Sequence, residues 1–325
     1  MVVIPAQAGI YFGQLMEITR LAHPKRADAR RIILEALRED SARKDCTSRA
    51  VLSPRIRTLG QITAKEEGIL CGIRIAKWVF EEISTKAKVR LLAKDGDRIE
   101  KGQVVADVTG TAWVVFAGER VALNLLSHLS GIATETQRYV EKVKPHPAKI
   151  LDTRKTLPGL RLFQRYAVGV GGGMNHRFDL ADEILIKTNH LRLMSGWDEE
   201  TQSHRKALRE AMQRVQGRTP DAEGTRVMVE VANLHEFEEA LHMKPDVVLL
   251  DNMGPAECAE AVRISRTLAH PPRLEISGGI NLANVGRYAE TGVDRISVGA
   301  LTHSVRGLNF SLRAQLIFPE GGRHS

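Results

Sequence analysis

The 325-residue chain is poor in cysteine: Cys46, Cys71 and Cys258 lie far apart, with no CxxC pair and no close Cys/His grouping. That scarcity argues against a disulfide framework and a structural zinc site, and makes a reducing cytoplasm the expected location. Aromatic residues are also sparse, at 5%, which leaves no stacking platform for single-stranded nucleic acid. No apolar run approaches the length of a membrane span. The opening MVVIPAQAGIYFG lacks the basic start and long apolar stretch of a secretory signal, so residues 1–14 are read as a tail ahead of the fold. Nor is there a block of one charge sign. The 47 Lys+Arg and 39 Asp+Glu leave a net +8, interleaved as in RADARRIILEALREDSARKD, the pattern of a solvated surface rather than of a stripe that binds nucleic acid or membrane.

What is present is an ordinary globular composition, 43% hydrophobic and 26% charged, enough for one large or two modest domains. From about 26 to 117 the pattern is mixed: a helical stretch near 27–44, then short strands LGQITA, KVRLLA, QVVADVTG and TAWVVFAG. A long helix is predicted after Gly118 in ERVALNLLSHLSGIATETQRYVEKV, where Val121, Leu125, Leu129 and Ile132 fall at helical spacing. Beyond it β-rich runs (KILD, EILI, RVMVEV, VVLLD, RLEIS, RISVG) alternate with helical segments near 157–167, 199–216, 234–243, 255–268 and 282–291. This is the βα order of a parallel sheet or barrel.

Sites in such folds lie at the C-terminal ends of the strands. Those ends are all polar or glycine: Thr153, Arg154 and Lys155 after KILD, Lys187 after EILI, Glu230 near the end of RVMVEV, Asp251, then Ser277, Gly278 and Gly279, and Gly299. One such residue is usually a cap or a turn, whereas six in register argue for a site. Arg154, Lys155, His176, Arg177 and Lys187 form a cationic group suited to a polyanionic substrate. Glu230 and Asp251 offer hard oxygens for Mg²⁺ or sugar hydroxyls. The glycines of SGGI and the turn at Gly299 expose backbone N–H groups to a phosphate. The glycine run of GVGGGMNHR reads as a flexible linker or, because it lies between a helix and His176–Arg177, at least equally as a mobile substrate loop. Cys258, Met212 and Met228 read as core, and His128 and His204 as packing or surface residues.

The ordered series ERVALNLLSHLSGIAT, DTRKTLPGLR, GGGMNHRFDLADEILIKTNH, VEVANL, VVLLDNM, ISGGINLANV and DRISVGALTHS, from about Leu15 to Leu312, closely resembles the quinolinate phosphoribosyltransferases. These are type II phosphoribosyltransferases, the carboxylating nicotinate-nucleotide pyrophosphorylases of NAD biosynthesis.

The resemblance implies an α/β fold with an N-terminal α/β sandwich domain at 15–128 and an open, incomplete TIM-like α/β barrel at 129–305. A C-terminal segment at 306–325 would return to the first domain. It also implies a head-to-tail homodimer, with higher association left open, and Mg²⁺ as cofactor. Arg120 would reach across the dimer to quinolinate, joined by Arg154, His176, Arg177 and Lys187. Lys155 and Lys187 would hold pyrophosphate and substrate carboxylates, and Glu230 and Asp251 would contact the ribose hydroxyls and Mg²⁺. Ser277, Gly278, Gly279, Gly299 and His303 would surround the 5′-phosphate. The implied reaction joins quinolinate to 5-phosphoribosyl 1-pyrophosphate, releasing pyrophosphate and CO₂ and leaving nicotinate mononucleotide.

Two features depart from the family pattern: Thr188 stands where the family carries an acid, and residues 217–226 read as a loop insertion. Three other readings stand beside this one. A nicotinate phosphoribosyltransferase would need fewer cations, a paralogue attached to molybdenum transport shares the motifs, and a nucleic-acid binder rests on the +8 charge alone.

Overall fold

The computed structural model describes residues 23–195, 204–217 and 225–317. The tail expected at 1–14 and the bulk of the expected insertion at 217–226 lie outside the described residues. Helix α1 (Arg26–Glu39) buries Ala29, Ile32, Ile33 and Leu37 on one stripe. A short α2 (Cys46–Val51) is capped by the Asp45 carboxylate, which accepts from the Ser48 amide. Strand β1 (Arg57–Ala64) then buries every second residue, as a sheet with one covered face requires.

β2 (Gly68–Ile69), α3 (Ile73–Ile83), β3 (Lys88–Leu91), β4 (Arg98–Ile99) and β5 (Val104–Thr111) lead into α4 (Ala112–Val143). In the second half β6 (Lys149–Leu151), α5 (Arg161–Val170), β7 (Ile184–Ile186), α6 (Thr188–Ser195), α7 (Arg205–Gln216), β8 (Val227–Val231), α8 (Leu234–His242) and β9 (Val247–Asp251) follow. α9 (Pro255–Ser265), β10 (Arg273–Ser277), α10 (Val285–Glu290), β11 (Arg295–Ser297), α11 (Ala300–His303) and β12 (Phe310–Leu316) complete the order.

The first sheet is antiparallel in the order β12-β1-β5-β3, with β2 and β4 forming a separate pair. Its edge strand β12 comes from the end of the described chain and pairs with β1 from Ala64↔Phe310 to Thr58↔Leu316. The second sheet is parallel, in the order β6-β11-β10-β9-β8-β7. Each strand from β7 to β11 lies beside the next in sequence while β6 closes on β11, leaving the barrel open between β6 and β7.

Helix α4 packs on elements of both sheets, and the expected division at 128/129 falls inside it. One expectation is overturned here. TAWVVFAG is not a strand; its Ala112–Gly118 portion opens α4. The β-branched and aromatic run suggested a strand, but Val114, Val115, Ala117, Gly118, Val121 and Ala122 bury one helical face, and burial outweighs a weak local preference. Helices α3 and α6 were likewise not foreseen. α3 lies in a stretch dense in apolar residues all round, buried at Ile73, Ile75, Ala76, Val79, Phe80 and Ile83.

The returning C-terminal segment crosses α4 at Gly131, where a Cβ would lie 2.3 Å from the Arg306 carbonyl oxygen and 2.9 Å from Gly307 Cα. Gly131→Ala is therefore expected to lower stability by about 1–3 kcal/mol through overpacking. A denaturant midpoint that stayed at the wild-type value would show that this crossing is not a tight contact.

Candidate active site

The parallel register aligns the ends of the barrel strands. Ser277 sits opposite Asp251 across β10 and β9, Glu230 lies one residue before the end of β8, and Ile186 pairs with Val229. Lys187 and Thr188, just past β7, thereby come beside Glu230, and the Thr188 amide and hydroxyl both donate to Glu230 Oε1 at 3.1 Å. Burial, and next the Glu230 charge, push the Asp251 carboxyl above its ordinary value, opposed by Asn252, Lys155 and Lys187. Two acids and two lysines from three strand ends and the segment after β6 thus share one electrostatic field.

The glycine turn after β10 adjoins this rim. Gly278 has φ 99° and Gly279 φ 63°, left-handed conformations suited to glycine. A Cβ on Gly278 would also lie 2.1 Å from Asn252 Oδ1. The amides of Gly278 and Gly279 donate to no protein acceptor among the described residues, which leaves them available to an anion. At Gly299 the nearest side-chain atoms to an added Cβ would be Lys155 Cδ at 3.1 Å and His303 Cδ2 and Nε2 at 3.2 Å, so Lys155 and His303 flank this turn. Thr302 Oγ1 ties the corner together by donating to the Lys155 carbonyl at 2.8 Å.

The cationic side is partly buried. Burial, and next the Arg154 charge, hold the Arg177 guanidinium below its ordinary value, so the two guanidinium charges act on one another. Arg177 Nη1 donates to the Glu183 carbonyl at 2.8 Å, and Arg154 Nε is buried without a hydrogen-bond partner. His176 accepts the Arg177 amide on Nδ1 at 2.7 Å and has Nε2 3.4 Å from Glu275 Oε1.

The expectation of a mobile loop for GVGGGMNHR is corrected here, because its end is pinned from beneath. Fully buried Asp152 accepts from the His176 amide at 2.7 Å and from Asn175 Nδ2 at 2.6 Å. Arg165 donates to the carbonyls of His176 and Arg177 and stacks over Phe178 at 5.2 Å. Three adjacent glycines suggested freedom, but the residues that follow them, Asn175 and His176, are held by the buried Asp152.

Arg120 is not brought to this cluster within the chain. It is exposed on α4, one turn after the partly exposed Phe116, and makes no side-chain hydrogen bond or ion pair among the described residues. Residues not singled out from sequence are Asp152, Arg165, Asn175, Asn252, Glu275 and Ser297. Asp152, Glu275 and Ser297 carried a signal, since each is polar within a quoted apolar strand run. Glu275 is held there by Ser297 and by Arg295 Nη1 at 3.8 Å. Arg165, in the middle of an amphipathic helix, carried none. Cys258, Met212 and Met228 are buried as expected, and His204 is 2% exposed.

Comparison with known proteins gives two family matches, the quinolinate phosphoribosyl transferase N-terminal domain over residues 45–130 and its C-terminal domain over 132–313. The chain is 39% identical over 287 residues to the nicotinate-nucleotide pyrophosphorylase [carboxylating] of Mycobacterium leprae, covering 87% of this chain and 96% of that protein. It is 39% identical over 290 residues to the probable nicotinate-nucleotide pyrophosphorylase [carboxylating] of Methanocaldococcus jannaschii, again 87% of this chain and 96% of that one. Among solved structures, NadC from Streptococcus pyogenes superposes with a TM-score of 0.82 at 34% identity, covering 92% of this chain and 100% of that chain.

Proposed function

The chain belongs to the quinolinate phosphoribosyltransferase family, and from that premise we propose how its residues divide the reaction. It is a pentosyltransferase of NAD biosynthesis: it moves the phosphoribosyl group of 5-phosphoribosyl 1-pyrophosphate to quinolinate with decarboxylation, giving nicotinate mononucleotide. The observation that carries the division of roles is the shared field of Lys155, Lys187, Glu230 and Asp251 beside the glycine turn.

As pyrophosphate leaves, positive charge grows at ribose C1 and negative charge on the departing oxygens. Glu230 and Asp251 stabilise the first, Lys155 and Lys187 the second, and electrostatic preorganisation of this kind is commonly the largest catalytic contribution. The amides of Gly278 and Gly279, with Ser277, Gly299 and His303, take the 5′-phosphate. Arg154, His176, Arg177 and Lys187 orient the two quinolinate carboxylates, joined by Arg120 of the partner subunit in a homodimer. Once ribosylated, the ring nitrogen is cationic and accepts the electron pair left by CO₂, so the protein's task there is positioning.

The residues fit Mg²⁺. The raised Asp251 carboxyl beside Glu230 is what a cation relieves, and two carboxylates suit an ion held mainly by substrate oxygens and water. When bound, Mg²⁺ would neutralise charge on the leaving pyrophosphate. Among the described residues no helix is long and apolar enough to cross a membrane; a cytoplasmic location accords with that and with three unpaired cysteines.

The test is Mg²⁺-dependent formation of nicotinate mononucleotide from phosphoribosyl pyrophosphate, run in parallel with quinolinate and with nicotinate. Product and CO₂ from quinolinate alone are expected. Product from nicotinate, or no turnover of either, would overturn the reading in favour of the salvage reaction or of the transport-associated paralogue.

The raised Asp251 carboxyl also sets a pH dependence. Its ionised form is the useful one, so activity falls as pH drops through a pKa above the ordinary carboxylate value of about 3.9. The acid limb of kcat/KM for phosphoribosyl pyrophosphate is expected above that value and is expected to vanish in Asp251→Asn. An acid limb at the ordinary carboxylate value would count against a shared Glu230–Asp251 field.

A further inference from the structure

We propose that Thr188 is a positioning residue for Glu230: by holding one carboxylate oxygen with two donors, it commits the other to the ribose of the incoming phosphoribosyl pyrophosphate. The inference rests on the assignment of Glu230 to the ribose and goes beyond it by naming what aims that carboxylate.

The backbone sets up the contact. β7 ends at Ile186, in parallel register with Val229, so the next two residues run alongside Glu230 as the chain turns into α6. At this helix start the first amides have no partner within the helix. The Thr188 amide finds Glu230 Oε1 at 3.1 Å, and the Thr188 hydroxyl donates to the same oxygen at 3.1 Å. Glu230 Oε2 has no protein hydrogen bond among the described residues. The carboxylate is therefore asymmetric, with one oxygen saturated by donors and one open. Threonine suits the task because its branched Cβ restricts χ1, so that its hydroxyl keeps a fixed direction. A ribose hydroxyl is a donor, and the open oxygen is its acceptor.

Several charges surround Glu230. Asp251 acts on it from β9, and Lys187 at the end of β7 and Lys155 after β6 act in turn on Asp251. A small cavity behind it is lined by His204, by Glu236 and Glu239 of α8, and by Leu191 and Leu208.

Two variants test the inference by steady-state kinetics and by calorimetric binding of phosphoribosyl pyrophosphate with Mg²⁺. Thr188→Val keeps the shape and the amide and loses the hydroxyl. It is expected to raise the Kd and the KM for phosphoribosyl pyrophosphate about tenfold, the scale of one hydrogen bond to a charged group, with the KM for quinolinate unchanged. Thr188→Ser should return both to within about twofold of wild type.

If valine at 188 binds phosphoribosyl pyrophosphate like wild type, or if serine is impaired as much as valine, Thr188 does no more than start a helix and the inference fails. A wild-type chain that bound phosphoribosyl pyrophosphate but turned over no quinolinate would sink the assigned reaction instead, while the binding series would still decide the role of Thr188.

Discussion

Lys155→Ala is expected to lower kcat about 10²–10³-fold, the usual cost of removing one preorganised group that meets charge developing in the transition state. The backbone around Lys155 is fixed on both sides: its amide donates to Thr153 Oγ1 at 3.1 Å and its carbonyl accepts from Thr302 Oγ1 at 2.8 Å. Its stem lies against the Gly299 turn, and its charge reaches Asp251. Truncation removes a cation aimed at the leaving pyrophosphate and leaves Glu230 and Asp251 less balanced against the same phosphates. Because the side chain is exposed, stability should change by no more than about 0.5 kcal/mol, so a lost rate will not reflect a lost fold. Lys155→Arg should recover little, since a planar fork does not replace a compact ammonium in a corner where His303 and Lys155 already crowd Gly299. Steady-state kinetics with both substrates and a melting curve decide it; an alanine variant within tenfold of wild-type kcat would remove Lys155 from the chemical step.

How much of this was legible in the sequence follows from where each signal is local. The barrel strands could be found because short apolar runs end abruptly in polar residues or glycine, and the residues at those ends are the ones the parallel register aligns: Lys187, Glu230, Asp251 and Ser277. The opening of α4 misled because Trp113, Val114, Val115 and Phe116 have strand-like side chains, and only packing against both sheets decides for a helix. The His176–Arg177 segment misled for a related reason. Its glycines are visible from sequence, but Asp152 and Arg165, which clamp it, lie 24 and 11 residues from His176. Glu275 was visible as an acid inside an apolar strand, yet its partners Ser297 and Arg295 come from the next strand and His176 from the segment between α5 and β7. Contacts between elements distant in sequence leave no periodicity to read.

The largest structural question is the origin of the Arg120 charge, and an expected recovery of activity answers it. Arg120→Ala should raise the KM for quinolinate and lower kcat/KM about 10²-fold, because a guanidinium that grips a carboxylate with two hydrogen bonds has no substitute here. In the same chain Arg120 is exposed and makes no side-chain hydrogen bond or ion pair with a barrel group among the described residues, so the test is whether it serves a second subunit. Mixing Arg120→Ala with Lys155→Ala under conditions that exchange subunits separates the two cases. If Arg120 serves the partner's barrel, each parent dimer has two broken sites. A hybrid dimer then has one doubly broken site and one intact site, the latter built from the Lys155 of one subunit and the Arg120 of the other. Random reassortment makes half of the dimers hybrid, so about a quarter of wild-type activity should return. If Arg120 serves its own barrel, every site in every dimer lacks one of the two side chains and mixing restores nothing. The quarter-recovery is independent of the absolute loss in either parent, so it isolates the geometry of the shared site from the strength of its contacts.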